Sequence, residues 1–150
     1  MKDIDKKYFV IGIAVLLLIA IIPIIFGKTK TLKCTLNLTT DTAVTNEVYT
    51  ATFKRNKLKN LVVNFKNSPT SNYLDMIDAI YDKCQSQLEG FKEAGGYTYA
   101  LEKRTTYVAF ESKINLDKIP DKTKIELGFN NQWTSENFKK DLEKNGFNCK

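Results

Sequence analysis

The chain has 150 residues, with 23 Lys and Arg against 17 Asp and Glu, no histidine, and a net charge of +6. Without an imidazole, serine triads, cysteine–histidine dyads and histidine metal sites are excluded. No G-x-x-x-x-G-K, G-x-G-x-x-G or C-x-x-C spacing occurs either, which removes the common phosphate loops and redox dithiols.

Residues 8–26, YFVIGIAVLLLIAIIPIIF, carry no charge. At 1.5 Å per residue this run reaches about 28 Å, close to the hydrocarbon thickness of a bilayer, and it is expected to cross as one helix. Pro23 falls near an interface, where lipid-buried helices tolerate it. A cleaved signal peptide would use Lys2, Lys6 and Lys7 as its basic start, but the apolar run is too long and Ile25-Phe26-Gly27 is a poor cleavage site. A lipoprotein leader fails on Lys33, which stands where a small residue belongs before Cys34. Lys2, Lys6 and Lys7 before the run are matched by Lys28, Lys30 and Lys33 after it, so positive-inside counting is a tie. The expected organisation is a cytoplasmic tail (1–7), a transmembrane helix (8–26), a linker (27–30) and an extracytoplasmic domain (31–150).

That domain, of about 120 residues, is large enough for one core. Residues 1–27 hold three lysines and two aspartates, which leaves the rest 20 basic and 15 acidic groups. Such a mild basic surplus is first a matter of solubility, and in the sharper alternative it attracts anionic lipid headgroups or envelope polymer just outside the membrane; nucleic acid is a poor partner for a domain tethered there. Three cysteines allow three single bridges. Cys34 opens the domain, Cys149 nearly closes it, and Cys84 sits on an apolar helical stripe where a free thiol behaves as a small hydrophobe. The expected bridge is Cys34–Cys149. It closes a loop of about 116 residues, which the chain-entropy model values at roughly 4 to 5 kcal/mol and which implies an oxidising compartment.

In chain order, Thr31 to Thr39 alternates, with Leu32, Cys34, Leu36 and Leu38 on one face of a predicted strand. Val48 to Lys54 and Leu58 to Phe65 follow as a hairpin whose tip, Lys54-Arg55-Asn56-Lys57, is basic, with Asn56 suited to positive φ. The turn-rich stretch Asn67 to Asn72 supplies a cap, Ser71 or Asn72, for a long helix to about Phe91, whose stripe runs Tyr73, Leu74, Ile77, Ile80, Tyr81, Cys84, Leu88 and Phe91. Its other face carries Asp75, Asp78 and Asp82, read as a solvated surface because no ligand loop accompanies them. Gly95-Gly96 turns the chain into a second predicted hairpin, Tyr97 to Leu101 and Tyr107 to Leu116, with Lys103 and Arg104 at its tip. Ile125, Leu127 and Phe129 are expected as a short edge segment. A helix over Ser135 to Lys144, capped by Thr134 or Ser135, stops at Asn145-Gly146 with Phe147 folding back.

In this order and spacing the residues resemble the YehR-like family of small bacterial envelope lipoproteins. The likeness covers most of Val48 to Phe147. It rests on the hairpin Thr50 to Leu58, the long helix ending near Gly95-Gly96, the strands closing on Ile114-Asn115-Leu116-Asp117-Lys118, and the terminal Leu142-Glu143-Lys144-Asn145-Gly146-Phe147. The resemblance implies a compact α+β domain outside a membrane and brings no established chemistry. This chain departs from it in lacking a lipidated cysteine.

The expected fold is therefore α+β: an N-terminal transmembrane helix, then a small antiparallel sheet packed by one long helix and a short C-terminal helix. The expected function is a membrane-anchored, non-catalytic binding or interaction module at the cell envelope, with no catalytic residues, metal or cofactor. The alternatives are an accessory subunit of a membrane complex contacting another envelope protein, or a small enzyme using a carboxylate pair. Two groups stand out as contacts: Lys54, Arg55, Lys57, Lys103 and Arg104 as one cationic edge if both tips point the same way, and Tyr97, Tyr99, Tyr107 and Trp133 as an aromatic platform if exposed together.

Overall fold

The computed structural model describes residues 28–129 and 133–150. β1 (Thr29–Thr39), β2 (Ala43–Lys54) and β3 (Lys57–Pro69) form an antiparallel meander. A 3-10 segment (Ser71–Met76) leads into α1 (Ile77–Glu89), which carries the chain across the sheet to the β4 (Tyr97–Lys103) and β5 (Val108–Asn115) hairpin. A short α2 (Asp121–Glu126), then α3 (Ser135–Lys144), precede β6 (Asn148–Cys149). Every pairing is antiparallel, and the strand order is β4-β5-β3-β2-β1-β6.

The alternating sequence pattern becomes rows across the strands. Leu32, Ala51, Leu61, Ile114 and Tyr97 lie in register, and so do Cys149, Cys34, Tyr49, Val63, Ser112 and Tyr99. Alternation in β3 breaks between Leu58 and Leu61, both buried, and a register shift at Thr52/Phe53 accommodates the extra residue. One core joins these rows to Leu88 of α1 and Phe138 of α3, so both helices cover the same face. Cys84 packs with Ile77 and Val108 in a second cluster.

The expected transmembrane helix ahead of a small sheet is corrected. The architecture is a six-stranded antiparallel sheet with helices, and no helix among the described residues is long and apolar enough to cross a membrane. The tail 1–7 and the run Tyr8–Phe26 lie outside the described residues. The expected linker 27–30 is cut short, because Thr29 and Lys30 already pair with Lys54 and Phe53.

Three local expectations also change. Asn67 to Pro69 is strand, not turn: it pairs with Ala43 to Thr45, and Asn67 Nδ2 donates to Thr45 Oγ1 at 2.8 Å. Tertiary pairing overrides the turn composition there. The long helix accordingly begins at Ile77 after a 3-10 segment kinked at Tyr73, with Thr70 rather than Ser71 or Asn72 at its head. The expected edge segment around Ile125 is helical. Asp121 in its first turn meets Lys124 at 2.7 Å, which suits the helix dipole, and Gly128 at φ 76° ends the segment.

The C-terminal segment matches its sequence signals. Thr134 accepts from Asn137 N at 3.2 Å, Phe147 N donates to Leu142 O at 3.1 Å, and Gly146 takes φ 89°. This reversal aims β6 at the edge of β1, where Cys34 and Cys149 are direct partners joined by a disulfide.

Candidate functional site

Six strands about 4.8 Å apart present a face roughly 24 Å wide, and two helices about 10 Å across do not fill it once each is centred over its own end. α1 lies toward β4 and β5, and α3 toward β1 and β6. Between them is a cleft of about 450 Å³.

Its floor is the middle of the sheet, Tyr49, Leu61, Val63, Ser112 and Ile114. Leu88 and Phe91 form one wall, and Phe138 and Leu142 the other. Leu127, Phe129 and Trp133 close an end, with Trp133 edge-on to both Phe129 and Phe138 at centroid distances of 5.5 and 5.3 Å. Polar groups are few. Ser112 is buried in the floor, while Gln87, Asp141 and Asn145 stand along the lining from the two helices. The ring of Tyr49 is braced edge-on by Phe147 at 5.1 Å.

Burial pushes the phenols of Tyr49 and Tyr97 above their ordinary range; Glu47 adds to the effect at Tyr49. Ser112 opposes it at Tyr97, to which Tyr99 adds a little. Both phenols therefore enter the cleft as neutral hydrogen-bonding groups at physiological pH. Glu47 itself, one row from Tyr49 and in register with Leu36 and Phe65, has its carboxyl raised by desolvation.

The aromatic residues singled out in the sequence do not form one exposed platform. Tyr97 and Trp133 line the cleft, and Tyr99 leans on Tyr97 at 6.2 Å. Tyr107 is elsewhere, beneath Lys66 Nζ at 4.1 Å from its ring centroid.

The two basic tips likewise do not form one edge. Lys54 and Lys57 pair at one end of the sheet, while Lys103 pairs with Val108, which lies in register with Asn67 far along β3. Ten residues of strand separate them, about 33 Å. At the far tip, Lys103 Nζ meets Asp78 Oδ1 at 3.0 Å and lies over Tyr81, and Arg104 Nε meets Glu102 Oε1 at 2.5 Å. Lys54, Arg55, Lys57 and Lys59 instead line a groove of about 660 Å³ at the near tip.

Among the described residues, Asp141 is the one carboxylate lining the cleft. Asp78 of the three helix aspartates is bound to Lys103, and among the described residues no group of three or more acidic, cysteine or histidine side chains could hold a metal. Of the residues that make the cleft, Tyr49, Val63, Leu88 and Leu142 were readable in sequence only as parts of apolar stripes, and the polar Ser112 not at all. Nothing in those stripes states how far apart two helices will stand.

No protein-family model and no curated protein matches the chain, so the likeness to the YehR-like family rests on the quoted residues alone. The chain is similar in fold to an NMR structure of a protein from Streptococcus pneumoniae TIGR4. The TM-score is 0.52 at 14% identity, over 83% of this chain and 86% of that one. At that identity the likeness speaks for the fold alone.

Proposed function

We propose that the chain is a non-catalytic, extracytoplasmic binding module that takes a small, largely apolar ligand into the cleft between α1 and α3. The observation that carries this reading is the cleft itself. Its volume of about 450 Å³ falls in the range of small-molecule sites, roughly 300 to 1,000 Å³, and aliphatic and aromatic walls with a few polar groups are the usual lining of such sites. A ligand with an apolar body and one hydrogen-bonding end fits this lining, its body against Leu61, Val63, Leu88 and Phe138 and its polar end toward Gln87, Asp141 and Asn145. The Cys34–Cys149 disulfide supports an oxidising compartment outside the cytoplasm.

Amide-resolved NMR with the neutral apolar probe N-phenyl-1-naphthylamine tests this. Shifts confined to residues of the floor and walls, Tyr49, Val63, Leu88, Ser112 and Leu142, are expected. Shifts scattered over the outer sheet face, or none, would overturn it.

A further inference from the structure

We infer that β4, at the open edge of the sheet, is a docking strand for an extended basic peptide segment of a partner protein, which joins the sheet as a seventh strand. This reading is independent of the cleft. Among the described residues β4 pairs only with β5, whereas β6 covers the other edge of the sheet at Cys34 and Thr35.

The ladder to β5 fixes which backbone groups face outward. Asn115 N donates to Gly96 O at 2.7 Å at one end of the hairpin, and Arg104 N donates to Tyr107 O at 2.8 Å at the other. The register between them is unbroken, and an antiparallel pair exchanges hydrogen bonds at every second residue. Thr98, Ala100 and Glu102 therefore turn their N–H and C=O groups to β5. Those of Tyr99, Leu101 and Lys103 point to the open edge, spaced as an added strand needs them. β4 also lacks the usual guards of an edge: no proline or bulge interrupts it, and its single lysine, Lys103, is held by Asp78 at 3.0 Å.

Charge selects the occupant. α1 packs over β4 and β5, with Gln87 and Leu88 on its cleft side. Its opposite flank carries Asp78, Asp82, Gln85 and Glu89, which recur at helical spacing, and Asp78 reaches down to β4 through Lys103. Asp82 and Glu89 form no ion pair among the described residues, and Glu89 Oε1 accepts from Gln85 Nε2 at 2.8 Å. A lysine or arginine on the helix-facing side of an added strand would lie beneath these two carboxylates. The positive surplus of the whole domain opposes this little, because charges more than about 8 Å away are screened at physiological ionic strength. The same carboxylates disfavour a second copy of the chain. Two β4 edges paired about a two-fold axis would set α1 about 10 Å from its copy, with Asp82 and Glu89 of both helices facing each other.

Amide hydrogen exchange of the full chain, resolved by NMR, tests the inference. The probes are an end-blocked nonapeptide of alternating threonine and lysine, and the same peptide with glutamate in place of lysine. The lysine peptide should slow exchange at Tyr99, Leu101 and Lys103 by about tenfold or more, and the glutamate peptide should leave them unchanged. Asp82→Lys with Glu89→Lys, both at exposed positions that leave the core untouched, should reverse that preference. Unchanged exchange with both peptides would overturn the inference. Equal slowing by both, or a preference that survives the charge reversal, would overturn it too. Slowing of the same amides when the chain is concentrated without peptide would reassign the edge to a second copy.

Discussion

The Oδ1 atom of Asn56, in the β2–β3 turn, accepts hydrogen bonds from both the backbone N and the Oγ of Ser135 at the head of α3, at 3.2 and 3.1 Å across 79 residues of chain. Lys30 Nζ adds a third contact to the same hydroxyl at 3.3 Å. The turn thus fixes where α3 starts, and with it one wall of the cleft. Ser135 is buried, so removing its acceptor strands a donor at a cost of about 1 to 3 kcal/mol. Asn56→Ala should therefore lower stability by roughly that amount in urea denaturation, with a further loss from placing alanine at positive φ. Asn56→Gly keeps the backbone and loses only the bonds. If Gly restores full stability, the contact to Ser135 contributes nothing.

The disulfide between β1 and β6 joins residues 115 apart. Reduction, or Cys34→Ser with Cys149→Ser, should lower stability by about 2 to 4 kcal/mol. Thiol titration checks the pairing directly. Cys84 is buried and free, so the unreduced chain should show one thiol only when unfolded, and the reduced, unfolded chain three. Three thiols without reductant would contradict the bridge.

Glu47 carries the opposite kind of energy. Burial raises its carboxyl above the ordinary 4.5, so the folded state holds the proton more tightly than the unfolded chain. Its contribution is then most favourable below that ordinary value, and stability is lost as pH rises through the raised folded value. Glu47→Gln should be more stable than the parent chain at about pH 7, and the difference should vanish near pH 4. Urea midpoints at the two pH values measure it. A gain that is the same at both would mean the carboxylate is not the cause.

Much of this arrangement was legible in the residues. The stripe from Ile77 to Leu88 placed α1, the alternation of Leu32 and Cys34 placed the buried face of β1, and Asn145-Gly146-Phe147 announced the end of α3. Each of these is a local pattern read by its own backbone. What failed to show was what depends on partners. Asn67 to Pro69 carries turn residues but is held as strand by β2, and β6 is two residues long, set by its pairing with β1. The directions of the two basic tips follow from strand order, which no single segment encodes. The cleft is a distance between two helices. For that reason Tyr97 and Trp133 were found as aromatic residues, while Ser112 and Leu142, equally part of the site, were not.

The most direct measurement uses Trp133, the single tryptophan of the chain, which lines the cleft. Its emission overlaps the absorption of N-phenyl-1-naphthylamine, so energy transfer reports a probe lodged beside it. The account predicts transfer that saturates at one probe per chain and is abolished by Val63→Phe, which fills the floor, with the variant still melting cooperatively. Transfer that rises without saturation, or that persists unchanged in Val63→Phe, would contradict a binding cleft between α1 and α3.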